Sequence, residues 1–129
     1  MSHVHAIVWL DHREAKVIGF SLGESETIEI HSQMPERHIR HQDQFQGEGH
    51  TNDDLQFFGE IAEALADSRE VLITGPGTAM EAFERYVTER HADLAKRIVG
   101  TEPLDHPTAG QLAAYARKYF TAVDQLGLT

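Results

Sequence analysis

The chain has 129 residues, enough for one domain with a core of its own and too few for two ordinary ones. It contains no cysteine, which excludes a disulfide framework, a thiolate metal site and a cysteine nucleophile. A formal charge of -10 sets an acidic surface against phosphate backbones, so strong non-specific DNA or RNA binding is not expected. The opening run Met1-Ser-His-Val-His-Ala-Ile-Val-Trp-Leu10 has no basic leader and is too short to span a bilayer, and no later run is longer. The expectation is a single soluble domain over 1–129, cytoplasmic, with no membrane partner.

Residues 3–10 and 15–20 are apolar runs rich in Val, Ile, Trp and Phe, separated by the polar Asp11-His-Arg-Glu14. That pattern predicts a hairpin. Thr27-Ile-Glu-Ile-His31 alternates and predicts a third antiparallel strand with one wet face. Residues 32–52 are dominated by Gln, His, Arg, Asp and Gly, and predict a long exposed loop. Leu55, Phe58, Ile61, Ala62 and Leu65 then fall on one helical stripe, with Thr51 or Asn52 as cap and Asp53 and Asp54 at the positive end of the helix. Glu70-Val-Leu-Ile-Thr74 predicts a strand buried on both faces. Thr78 and Glu81 have capping-box spacing before a helix that turns Met80, Phe83 and Val87 inward. Ala95–Thr101 predicts the fifth strand. Thr108 and Gln111 form a second capping-box pattern, opening an amphipathic helix with Leu112, Tyr115, Ala116, Tyr119 and Val123 on its apolar side. The element order predicts a three-layer α/β/α sandwich around a mixed five-stranded sheet.

Few residues carry a chemical signal. Gly75-Pro76-Gly77 lies between a strand end and a helix start, so Gly75, Gly77 and Thr78 are the candidate anion site. Pro76 removes one donor, and the spacing fits neither the dinucleotide fingerprint nor the phosphate loop. His38 and His41, with His31, Asp43 and His50 nearby in sequence, have ligand types suited to zinc or nickel. The polar loop around them offers no rigid frame, and no metal ligand is assigned. Asp11, Asp53, Asp54 and Asp105 invite a carboxylate nuclease, but turn and helix-dipole chemistry accounts for the first three. His91 and His106 fall near helix ends and read as capping or packing residues. Tyr115, Tyr119 and Phe120 with Arg117 and Lys118 have helical spacing that turns the aromatics mostly toward the core. No catalytic residue and no cofactor are assigned. On this acidic chain the short cluster Arg37-His-Ile-Arg-His41 concentrates positive charge, which makes Arg37, His38, Arg40 and His41 the candidate binding residues.

Leu72-Ile-Thr-Gly-Pro-Gly-Thr-Ala-Met-Glu-Ala-Phe83, Lys96-Arg-Ile-Val-Gly100 and Asp105-His-Pro-Thr-Ala-Gly-Gln-Leu-Ala-Ala-Tyr-Ala-Arg-Lys-Tyr-Phe120 carry a resemblance to a known family. The chain resembles the middle domain of the eukaryotic and archaeal peptide-chain release factor and of Pelota. Within that group it looks most like small stand-alone bacterial proteins termed translational machinery proteins. The resemblance implies a ribonuclease-H-like arrangement of strands and a partner in the ribosome or tRNA. Release-factor middle domains present Gly-Gly-Gln on a loop before a long helix. The matching stretch here holds Gln42, Gln44, Gln46 and Gly47-Glu-Gly49, and no Gly-Gly-Gln occurs; Ala109-Gly-Gln111 sits at the last helix instead. The expected function is therefore a non-catalytic binding domain of the translation machinery. A metal-dependent hydrolase or nuclease and a homo-oligomeric interaction module remain the alternatives.

Overall fold

The computed structural model of the chain describes residues 3–21, 24–32 and 52–125. Five strands form one sheet: β1 (His3–Leu10), β2 (Glu14–Ser21), β3 (Glu24–His31), β4 (Ser68–Gly75) and β5 (Ile98–Pro103), in the order β3-β2-β1-β4-β5. β1 to β3 pair antiparallel, whereas β4 runs parallel to both β1 and β5. The helices are α1 (Asn52–Ala64), α2 (Gly77–Arg90), the single turn α3 (Ala92–Ala95) and α4 (Ala109–Gln125).

Side chains alternate across a strand, so a sheet covered on both faces needs apolar residues at every position. β1 meets that demand, with Ala6 through Leu10 wholly buried. Ala6, Val8 and Leu10 join Val71 and Ile73 under α1 and α2, which contribute Phe57, Phe58, Ile61, Leu65, Phe83 and Val87. Ile7, Trp9, Ile18 and Leu72 face the other way, against Leu112, Ala116 and Phe120 of α4. The sheet is thus the middle of three layers. Val71, Leu72 and Ile73 have no exposed surface, as their unbroken apolar run predicts. Thr74 is equally buried, and its hydroxyl donates to the Val8 carbonyl at 2.9 Å, which satisfies the one polar group on that stretch. β3 is the wet edge: among its side chains only Ile30 is buried.

Two expectations need correction. The fifth strand begins at Ile98 rather than Ala95, because Ala92–Ala95 coils first. Ala95, Lys96 and Arg97 donate backbone bonds to His91, Ala92 and Leu94, and buried Leu94 anchors the turn. The capping box at Thr78 and Glu81 does not form. Pro76 occupies the cap position with no side-chain bond, so the helix starts at Gly77, two residues earlier than a cap at Thr78 would place it. The second box does form. Thr108 N–H donates to Gln111 Oε1 at 2.9 Å, and Gln111 N–H donates to Thr108 Oγ1 at 3.1 Å.

β5 carries a bulge that the sequence does not announce. Val71 pairs with Ile98 but Leu72 pairs with Gly100, leaving Val99 as the extra residue. The Tyr119 hydroxyl donates to the Val99 carbonyl at 3.4 Å and lies 2.6 Å from where a Cβ on Gly100 would stand. Burial against this seam pushes the hydroxyls of Tyr115 and Tyr119 above the usual phenol range, and the Glu102 carboxylate beside them adds to the rise.

Candidate functional site

β1, β4 and β5 are parallel, so Leu10, Gly75 and Pro103 end at the same edge of the sheet. From there the chain leaves β1 toward β2 on one side and leaves β4 through α2 toward β5 on the other. In open α/β sheets, crevices form outside carboxyl ends at such divergences. A cleft of about 400 Å³ lies here, lined by Asp11, Arg13, Glu14, His31, Ser32 and His106.

Asp11 organises the cleft. Its Oδ1 accepts the backbone N–H groups of Arg13 and Glu14 at 2.8 and 2.9 Å, the side-chain turn that Asp favours. Its Oδ2 faces His106 Nε2 at 3.4 Å. The His106 ring stands 4.7 Å from Trp9, whose Nε1–H donates to the Leu104 carbonyl at 3.1 Å. Buried Trp9 therefore fixes the β5–α4 connection, and that connection carries His106 to Asp11. Across the cleft His31 reaches Glu14 at 4.0 Å, and Ser32 N–H donates to the Arg13 carbonyl at 2.8 Å. Two histidine–carboxylate pairs thus flank one opening.

The candidate anion residues lie at the same edge. Gly75 has φ 137°, and a Cβ there would stand 2.2 Å from the Leu10 carbonyl oxygen, so backbone packing alone demands glycine. Gly77 meets nothing within 4 Å. Thr78 Oγ1 lies 3.3 Å from His12 Nε2, which places that imidazole beside the start of α2. Sequence reasoning assigned His106 to packing and gave His12 no role. Their convergence with Asp11 and Thr78 spans 66 residues or more and has no local signature.

Arg37, His38, Arg40 and His41 lie outside the described residues, as do Asp43 and His50 and the side chains of Asp53 and Asp54. Asp105 is exposed beside the cleft. Among the described residues no group of three His, Asp or Glu side chains is arranged to hold a metal ion. His91 closes α2 through its backbone and sets its ring nitrogen 3.1 Å from the Tyr86 hydroxyl. Phe120 is buried, and Tyr115 and Tyr119 are half-buried against the same cluster. Among the described residues no helix is long and apolar enough to cross a membrane.

No protein-family model matches the chain, and no curated protein matches it. Solved structures do. Pelota of Thermoplasma acidophilum superposes with a TM-score of 0.63 and 21% identity, over 98% of this chain and 35% of that one. Pelota of Archaeoglobus fulgidus gives 0.60 and 17%, over 92% and 32%. An archaeal translation termination factor gives 0.58 and 17%, over 96% and 40%. The chain has the α/β fold of one segment of these proteins and spans 32 to 40% of their length.

Proposed function

We propose that this chain is a binding domain of the translation machinery, contacting the ribosome or tRNA in the cytoplasm without hydrolysing an ester. The carrying observation is the fold likeness to two Pelota proteins and a translation termination factor over more than nine-tenths of the chain. Fold alone does not specify activity. The sequence supports the rest: its 129 residues contain no Gly-Gly-Gln. The contact surface in this reading is the stretch holding Arg37, His38, Arg40 and His41, which concentrates positive charge on an otherwise acidic chain.

The test is co-sedimentation of purified protein with ribosomes across a salt series. Binding that weakens steadily as salt rises is expected, since phosphate contacts release counterions. Replacing Arg37 and Arg40 together by glutamate should abolish the pelleted fraction, with melting recorded alongside to separate lost contact from lost fold. Equal binding by the double variant removes this stretch as the contact. No pelleting at low salt removes the ribosome as partner. Peptide released from peptidyl-tRNA by the parent overturns the non-catalytic reading.

A further inference from the structure

A second cleft, of about 340 Å³, lies at the amino ends of β4 and β5, among Ala62, Ala66, Arg90, His91, Asp93 and Arg97. α1 ends here before β4, and α2 ends here before β5. The chain has 21 acidic residues against 11 basic ones, so a surface arginine has many carboxylates to choose from. Among the described residues, neither Arg90 nor Arg97 is ion-paired.

Arg90 has an ordinary explanation. It occupies the last turn of α2, where a cation suits the helix dipole, and its guanidinium lies 5.9 Å from the Tyr86 ring centroid. Arg97 has none. Its Nε is buried without a hydrogen-bond partner. A buried orphan donor is costly, and more so when it belongs to a charged group. Four carbonyls at this end, those of Val87, His91, Ala92 and Leu94, already accept backbone N–H groups. Arg97 lines the cleft, and its buried Nε has no hydrogen-bond partner among the described residues.

We propose that the cleft between Arg90 and Arg97 binds a phosphate group. Two guanidinium groups bring several N–H donors and two charges to one cleft, which match the oxygens and charge of a phosphate better than those of a single carboxylate. Ala62 and Ala66 line the wall with small side chains and leave room for the ligand. Asp93 is the opposing element, a carboxylate in the same cleft that lowers affinity and selects against weaker anions. The site is independent of the ribosome reading and lies outside the Arg37–His41 stretch.

The test is titration of the full chain with inorganic phosphate at constant ionic strength, followed by amide chemical shifts, with chloride and acetate as reference anions. Saturable shifts confined to residues near 62–66 and 90–97 are expected. Arg97→Gln should weaken binding roughly tenfold or more, the loss of a charge-assisted bond. Arg97→Lys should keep the charge but lose the fork, and weaken binding less. Asp93→Asn should tighten binding several-fold, and this exposed substitution keeps the test decisive if Arg97→Gln fails to fold. A short RNA with and without a 5′-phosphate separates a terminal phosphate from a backbone diester as the source. Shifts absent or scattered, equal displacement by acetate, or unchanged affinity in Asp93→Asn would overturn the proposal.

Discussion

Gly75→Ala is the sharpest test of how the carboxyl edge is built. Gly75 closes β4 at φ 137°, a conformation that alanine adopts only under strain, of about 1–3 kcal/mol. The added Cβ would also stand 2.2 Å from the Leu10 carbonyl oxygen and 3.2 Å from its carbon. Leu10 is wholly buried in the central strand, so its backbone cannot swing aside as a surface side chain could. Overpacking of this kind costs about 1–3 kcal/mol more. The sum, about 2–6 kcal/mol, is a large part of an ordinary domain's stability of roughly 5–15 kcal/mol. The melting temperature should fall by roughly 6–30 °C, at about 3–5 °C per kcal/mol for a chain of this size. Gly77→Ala is the matched control. It lies two residues on, at the first position of α2, where a Cβ meets nothing within 4 Å. Alanine there should be neutral or stabilise by up to about 1 kcal/mol. Urea unfolding of both variants with equal slopes decides the matter. A Gly75→Ala protein as stable as the parent, or equal losses in the two variants, refutes the close approach of Leu10 and Gly75.

Thr108→Ala should lower stability by about 1 kcal/mol by opening the capping box at α4, while Thr78→Ala should cost less by chemical denaturation, since Thr78 caps nothing. The hydroxyls of Tyr115 and Tyr119 titrate above their usual range in the folded chain. Their stabilising contribution is thus complete below the ordinary phenol pKa and is lost as pH rises through the raised values. Melting temperature should decline beyond about pH 10 more steeply in the parent than in Tyr119→Phe, and identical alkaline profiles would show the seam to be open to water.

Much of the architecture was legible because it rests on period. The unbroken run at Val71–Ile73 reads as a strand covered on both faces, and the stripes through Phe58, Ile61 and Leu65 and through Leu112 and Ala116 read as helices over it, as the structure has them. Local competition defeated the rest. Ala92–Ala95 coils because buried Leu94 outweighs the β-like stretch that follows. Gly77 rather than Thr78 opens α2 because Pro76 already provides the extended residue at the cap, with ψ 147°. Tyr119, from another element, meets the bulge at Val99 through its hydroxyl, a contact that no window around Val99 contains. The candidate site was legible only in part for the same reason. Asp11 reads as a turn residue, and it is one; its second oxygen acquires His106 only because Trp9 ties Leu104 to the sheet.

The two ends of the sheet now differ in kind. At the carboxyl edge, polar groups serve one another: Asp11 holds its own turn and faces His106, Trp9 holds Leu104, His12 meets Thr78, and Gly75 admits Leu10. Substitutions there act on how the β1–β2, β4–α2 and β5–α4 connections sit against one another, and stability measurements should register them. At the amino edge, the carbonyls of Val87, His91, Ala92 and Leu94 accept backbone N–H groups, and Arg97 Nε has no hydrogen-bond partner among the described residues. A buried donor without a partner calls for an explanation, and an external ligand is one, whereas a fully satisfied network rigidifies the fold. The carboxyl edge is therefore the place to look for the fold's rigidity, and the amino edge the place to look for a small anionic ligand.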